Sequence, residues 1–317
     1  MRGVILDAAS LGEDVDLAPV LSLAGDWACH ASTPATDVAA RIRDAEVVLS
    51  NKVPLTAASL AVAPRLRLVV VMATGTNNVD LAAATQQGIA VCNARAYATA
   101  SVAQHTMLLL LALARSLLPA ERSARDGTWS RSPSFCVLGH PMLELGDRRL
   151  GIVGYGELGR EVARLARAFG MQVALAALPG RRYADVQDYA RMPLAQMLPW
   201  ADVISLHCPL TLETRGMIGA AQLGLLPAGG LLVNTARGGI VDEAALAAAL
   251  DSGRLEGAAL DVFEREPVLV PGIASHPRVL ATPHLAGHTV ESHRARARNL
   301  VEALDELVAR LVPEGCR

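Results

Sequence analysis

The sequence predicts an α/β protein with two parallel sheets wound by crossover helices, and three observations carry that expectation. The chain has 317 residues, enough for two domains at roughly 150 residues each. Short β-branched runs alternate with Ala- and Leu-rich stretches of helical length, the order in which a parallel sheet is built. Hydrophobic residues make up 52% of the chain and aromatics only 3%, a composition that suits a well-filled α/β core and argues against disorder.

Taken in order, strands are expected over residues 4–6, 47–49, 68–72 and 89–92, with a helix over 37–44. A long apolar helix follows over 99–118, then a polar loop rich in Ser and Arg over 122–133. A second series of strands is expected over 150–153, 172–175, 203–206, 231–234, 257–260 and 279–281. Six strands separated by helices make a complete doubly wound unit. The last helix, near residues 290–311, has no sheet of its own and is expected to return to the first block. The domains predicted are therefore 99–287 and a smaller, discontinuous one made of 1–98 and 288–317.

Composition excludes several chemistries. With 29 basic and 31 acidic residues and a net charge of −2, no nucleic-acid surface and no acidic tail are indicated. Only Lys52 is a lysine, so a Schiff-base enzyme would have to use it, and no Gly-Lys-Ser/Thr phosphate loop exists. The longest strictly apolar run, 107–114, is too short to span a bilayer, and the N-terminus lacks the pattern of a cleaved signal, so a cytoplasmic chain without membrane contact is expected. The five cysteines, at 29, 92, 136, 208 and 316, include no Cys-x-x-Cys pair, which leaves disulfides and thiolate metal sites unsupported. His284, His288 and His293 are close in sequence, but Pro283 and Gly287 interrupt a helix there and no carboxylate or Cys completes the set, so no metal is expected. Arg294 and Arg298 share a helix face with each other and read as a solvated surface.

Directly after the strand ending at Val153 comes Gly154-Tyr-Gly156-Glu157-Leu158-Gly159, followed by a helical pattern. In that context the glycines fit a dinucleotide site: one for the tight turn, one for backbone approach to the pyrophosphate, one for close helix packing. The helix N-terminus then presents its positive end to the phosphates. An acidic residue is expected about 20 residues on, to hold the adenosine ribose. Ala177 stands there instead, with Arg181 and Arg182 a few residues away. Loss of the carboxylate removes the repulsion against a 2′-phosphate, so NADP(H) is expected to be accepted as well as NAD(H). The alternative is that the arginines are solvated and NADH binds without the carboxylate.

Three later segments lie at strand ends: Asn234 to Asp242, Asp261 to Pro267, and Thr282 to Ala286. Ligands of open α/β sheets bind beyond the carboxyl ends of the strands, so these loops can converge. They supply a guanidinium at Arg237, a carboxylate at Glu266 and an imidazole at His284, a set suited to hydride transfer to a 2-keto acid. Arg237 can grip a carboxylate and polarise a keto oxygen. His284 can protonate that oxygen, with Glu266 supporting the imidazolium and raising its pKa. Singly, each has a plainer reading: Arg237 could pair with Asp242, Glu266 could be a loop charge, and His284 could be packed.

These motifs, with Thr74-Gly-Thr-Asn-Asn-Val-Asp80, Ser101-Val-Ala-Gln-His105 and His207-Cys-Pro-Leu-Thr211, resemble the D-isomer-specific 2-hydroxyacid dehydrogenase family over nearly the whole chain, most closely its glycerate dehydrogenase/hydroxypyruvate reductase branch. The resemblance implies a Rossmann cofactor domain and a smaller flavodoxin-like α/β substrate domain. It places the catalytic Arg, Glu and His on Arg237, Glu266 and His284. Cofactor contacts fall on the Gly156 to Leu158 turn, Cys208, Thr235, Ala236, Asp261 and Ala286, with Thr99 close to the nicotinamide. Backbone at Thr74 and Gly75 is implied to bind the substrate carboxylate, and the 99–118 helix to pair two subunits into a homodimer. Two departures stand out: Ala177, and Gly287-His288 where the branch usually carries an aromatic. Lys52 is expected at a turn facing the interdomain cleft, as added positive potential for an anionic keto acid or as an ordinary loop lysine. The expected activity is hydride transfer between NAD(P)H and a small 2-keto acid, hydroxypyruvate or glyoxylate first. D-lactate and 3-phosphoglycerate chemistry, or a dinucleotide-sensing corepressor of the same fold, are the alternatives.

Overall fold

The apolar runs form two all-parallel sheets in the computed structural model of the chain. The structure describes every residue except 13–14, 23–24, 179–187, 269–270 and 312–317. Contacts divide the chain into two units, Met1–Ala98 with His288–Arg317, and Thr99–Gly287.

The first unit holds β1 (Arg2–Ile5), β2 (Asp26–Cys29), β3 (Val47–Ser50), β4 (Leu68–Val71) and β5 (Ala90–Asn93), in the order β2-β1-β3-β4-β5. This is the flavodoxin-like order, with its switch point between β1 and β3. All four residues of both β3 and β4 are buried, as expected for strands covered on both faces. The short helices α1 (Ala18–Leu21), α2 (Val38–Ile42), α3 (Ala57–Ala61) and α4 (Leu81–Gln86) connect them. Strand β2 was not expected. Its sequence Asp-Trp-Ala-Cys lies at the sheet edge, half exposed, and carries no β-branched residue to announce it.

The second unit holds β6 (Arg149–Val153), β7 (Gln172–Ala177), β8 (Ala190–Pro193), β9 (Val203–Leu206), β10 (Gly230–Asn234), β11 (Leu255–Leu260) and β12 (Val279–Ala281). Their order, β12-β11-β10-β9-β6-β7-β8, is that of a doubly wound Rossmann sheet with one strand added beyond the usual six. The chain switches direction between β6 and β9, and the unexpected strand is β8, another short edge. The helices are α5 (Thr99–Ala114), α6 (Leu117–Arg125), α7 (Glu157–Ala168), α8 (Leu194–Trp200), α9 (Ala220–Leu225) and α10 (Glu243–Asp251).

The single helix expected over 99–118 is broken. It ends at Ala114, whose carbonyl accepts a hydrogen bond from Leu143 N at 2.7 Å, and Ser116 takes a left-handed φ of +47° while its hydroxyl donates to Pro141 O. The chain then resumes as α6 through Arg125, where a loop was expected, because good helix formers and a Glu121–Arg125 pair one turn apart support it. The C-terminal helix α11 (Val290–Leu311) lies on the first sheet as expected, with Leu300 in the cluster of Ile5, Leu11 and Leu49. Asn299 Nδ2 donates to Arg95 O at 2.7 Å, and the buried Arg296 donates to Leu11 O.

Candidate active site

Strands β10, β11 and β12 are neighbours in the second sheet, so the loops leaving their carboxyl ends are neighbours too. The first is folded by Asn234, 1% exposed. Its Oδ1 accepts from Ala236 N and its Nδ2 donates to Arg237 O, both at 3.0 Å. That fixes the backbone on either side of Arg237, whose half-buried guanidinium donates to Ala236 O at 2.6 Å. Asp242 instead caps α10 by accepting from Ala245 N at 2.9 Å, and no ion pair joins it to Arg237 among the described residues. Glycine is required at 238, where a Cβ would lie 1.7 Å from Phe263 O in the next loop.

In that next loop Glu266 Oε1 accepts from Phe263 N at 2.9 Å, and Oε2 lies 2.6 Å from His284 Nδ1. A carboxylate only accepts, so Nδ1 carries the proton. Nε2 has no hydrogen-bond partner among the described residues and is the nitrogen left for chemistry. The imidazole is 37% exposed, open enough to meet a substrate. His284 adopts φ +53°, a left-handed conformation that side chains other than glycine rarely take. Holding it there is Asp261, 1% exposed. Its carboxylate accepts from Thr282 Oγ1 at 2.6 Å and from Leu285 N and Ala286 N at 2.9 Å each. Burial pushes the Asp261 carboxyl up, but the nearby His105 and the hydrogen bonds from Thr282 and the two amides outweigh it and hold it below its ordinary range. Beside the site, burial raises the Glu243 carboxyl, and repulsion from Glu264 and Glu266 adds to that.

At the switch point, Gly154 turns with φ +102° and packs so closely that a Cβ there would lie 2.6 Å from Cys208 N. A Cβ on Gly159 would lie 2.1 Å from Gly154 O. At Gly156 a Cβ would meet nothing within 4 Å. This glycine starts α7 with no side-chain cap, so the first amides of the helix point into open space.

Residues 107–286 match the model of the D-isomer specific 2-hydroxyacid dehydrogenase NAD binding domain. The chain is 41% identical over 277 residues to the glycerate dehydrogenase of Methylorubrum extorquens, covering 86% of each chain. It is 32% identical over 313 residues to the hydroxypyruvate reductase of Blautia hydrogenotrophica, covering 97% of each. Among solved structures, an NADPH-dependent glyoxylate/hydroxypyruvate reductase from Sinorhizobium meliloti, in complex with NADP and malonate, superposes with a TM-score of 0.85 at 29% identity, over 97% of this chain and 93% of that one. The chain belongs to the D-isomer-specific 2-hydroxyacid dehydrogenases.

A nicotinamide dinucleotide fits this dehydrogenase at the glycine turn, because the open space before Gly156 and the uncapped amides of Glu157 and Leu158 are what a pyrophosphate needs. Of the other expected contacts, Cys208, Thr235, Ala236 and Ala286 are buried at the same ends of the strands. Thr235 already shares a hydrogen bond, 2.8 Å from Thr106 Oγ1. Thr99 opens α5. Ala177 ends β7, the strand beside β6. Arg181 and Arg182 lie outside the described residues. A cation that sequence reasoning passed over stands near Ala177: Arg191, whose Nη1 donates to Ala176 O at 3.2 Å.

In the first unit of the dehydrogenase, Lys52 follows β3 and Thr74-Gly75 follow the adjacent β4. Asp7, 5% exposed, receives Asn51 N at 2.9 Å and Lys52 N at 2.6 Å, so the loop bearing the exposed Lys52 is pinned at the β1/β3 switch point. Asn78 ties the two loops together by donating to Val53 O at 3.3 Å, and Asn93 Nδ2 donates to Thr74 O at 2.7 Å.

Proposed function

We propose that this dehydrogenase interconverts a small 2-keto acid and its D-2-hydroxy acid, with hydroxypyruvate to D-glycerate and glyoxylate to glycolate as the leading reactions. The observation that carries the reading is the 2.6 Å pair between His284 Nδ1 and Glu266. It fixes the tautomer that leaves Nε2 for the substrate oxygen. The names of the relatives support the substrate class. When bound, the reduced nicotinamide supplies the hydride. As the imidazolium, His284 gives its Nε2 proton to the keto oxygen; Glu266 keeps the Nδ1–H of the neutral imidazole that remains, and a proton from solvent restores the imidazolium. Arg237, Thr74, Gly75 and Lys52 bind the anionic substrate, with Arg237 also polarising the carbonyl. In the oxidative direction each step reverses and His284 acts as base.

The same reading gives NADPH a place beside NADH. Ala177 offers no carboxylate to repel a 2′-phosphate, and Arg191 is the described cation near it. The chain further works as a homodimer formed through the α5–α6 region and the segment after it, where large apolar side chains are exposed.

Purified protein is mixed with NADH or NADPH and a panel of 2-keto acids, and absorbance loss is followed. The expected result is turnover of hydroxypyruvate and glyoxylate with both cofactors. Dinucleotide binding without turnover of any keto acid would make the chain a sensor, and a strong NADH preference would remove the role given to Ala177 and Arg191.

A further inference from the structure

One face of α5 holds all three loops of the site. Ser101 Oγ donates to Ala286 O at 2.6 Å, Thr106 Oγ1 meets Thr235 Oγ1 at 2.8 Å, and His105 Nε2 lies 3.1 Å from Thr282 Oγ1 and 3.6 Å from Asp261 Oδ1. Ser101 and His105 are four residues apart and therefore stacked on the helix, with Thr106 alongside. Polar side chains on the buried side of so apolar a helix are costly unless paired. Here their partners flank Arg237 and His284.

The direction of the hydrogen bonds can be assigned. Thr282 gives its hydroxyl proton to Asp261 Oδ1 at 2.6 Å, since a carboxylate can only accept. The Thr282 oxygen is then an acceptor toward His105, and His105 Nε2 must carry the proton. A relay runs from His105 through Thr282 to Asp261, which gathers the amides of Leu285 and Ala286 from the far side. Pro283 and His284 are bracketed along the chain by these anchors. The left-handed backbone of His284 is strained and persists only where the surroundings impose it. A residue 179 positions earlier in the chain thereby sets where the working imidazole stands.

We propose that His105 is a positioning residue for proton transfer, holding Thr282 and Asp261 so that the turn presents His284 to the substrate. The proposal rests on His284 being the proton donor, and it assigns His105 no contact with substrate. A displacement of the donor by about 1 Å is enough to cost up to ~10²-fold in rate, while dinucleotide binding at the glycine turn is untouched.

The test compares wild type with His105→Phe, which fills the space without a donor, His105→Gln, which keeps one, and Thr282→Val, which breaks the relay at its middle. Expected for His105→Phe is a fall in kcat of about 10-fold or more, with the keto-acid KM and the dinucleotide Kd within about twofold. Glutamine recovers most of the rate, and Thr282→Val reproduces the loss if the phenylalanine variant does not fold. On a His284→Ala background His105→Phe costs nothing further, because the two act as one unit. Deuterium uptake at the amides of residues 284–286 rises in His105→Phe and returns to wild type in His105→Gln. Unchanged kcat in a folded His105→Phe, an equal loss on the His284→Ala background, or a parallel loss of dinucleotide affinity would each overturn the proposal. If the wild type turns over no keto acid, the reading of the site fails, and the exchange data alone decide whether His105 holds the turn.

Discussion

The imidazole of His207 is enclosed at the end of β9, with Nε2 2.8 Å from Ser205 Oγ, and burial pushes its pKa down to about 4. An unfolded histidine titrates near 6.5. Between those values the unfolded chain binds a proton that the folded chain refuses, so stability falls as the pH drops from about 6.5 to about 4. The shift corresponds to about 3 kcal/mol as an upper bound. Denaturant titrations across that range are expected to show the loss in wild type and a visibly shallower one in His207→Gln; equal slopes would mean that His207 titrates normally. Asp202, held low first by the hydrogen bond from Arg149, and Asp261, held low by bonds that outweigh its burial, act further down. Both are depressed carboxylates, so what they contribute is present above the unfolded value near 4 and disappears as the pH falls below it. At the site itself, His284→Ala is expected to lower kcat by about 10²- to 10⁴-fold, the usual worth of a general acid, with dinucleotide affinity retained. Glu266→Gln keeps the shape but not the charge and falls between that variant and wild type. Near-normal turnover of His284→Ala in the keto-acid assay would remove it from the chemistry. That the loops of Arg237, Glu266 and His284 lie side by side was legible in the sequence, because each follows a recognisable strand and those strands are neighbours in the sheet. The place of His105 is not legible in that way, because its partner Thr282 lies 177 residues away and no local pattern encodes it.

At the scale of the turn and helix, the glycines separate two effects that a motif lumps together. A methyl on Gly159 would collide with the Gly154 carbonyl at 2.1 Å, so Gly159→Ala must push the β6 turn and α7 apart. Overpacking of that kind costs typically 1–3 kcal/mol, and both melting temperature and dinucleotide affinity are expected to fall. A methyl on Gly156 meets no protein atom within 4 Å, and its φ of −87° suits any residue. Gly156→Ala is therefore expected to leave the melting temperature unchanged while weakening dinucleotide binding, since it fills only the space a pyrophosphate needs. Thermal shift with and without dinucleotide reads both outcomes, and equal binding by Gly156→Ala and wild type would mean that the phosphates lie elsewhere. Elements were readable where burial on both faces leaves a mostly β-branched and Leu run, as in β3, β4 and β9. Strands β2 and β8 escaped because edge strands are half exposed and need no such run. The break after Ala114 escaped because it depends on Pro141 and Leu143, which meet the helix end only in the folded chain.

The second unit exposes more apolar surface than its own core can use. Phe135 is 90% and Leu138 89% exposed, and Leu108, Leu117, Leu118 and Met142 are about half exposed. Close by, a groove of about 310 Å³ runs between α5, α6 and β12, lined by Leu113, Leu118, Pro141, Leu143 and Leu280. No single described helix is long and apolar enough to cross a membrane. Monomers rarely leave contiguous apolar patches of this kind uncovered, whereas a two-fold dimer covers the same patch on both copies at once. Each copy then offers both the projecting side chains of 129–142 and a groove able to receive apolar groups. Sedimentation of the wild type is expected to give twice the 33.2 kDa chain mass. Phe135→Asp combined with Leu138→Asp places two charges in the covered region and is expected to shift the distribution to the monomer with circular dichroism unchanged. Because both positions lie away from the Glu266–His284 pair in sequence, a fall in kcat that tracks the monomer fraction would tie activity to assembly, and full activity in the monomer would separate the two. A wild-type chain that sediments at the single-chain mass at micromolar concentration would leave the exposed leucines and Phe135 without this partner.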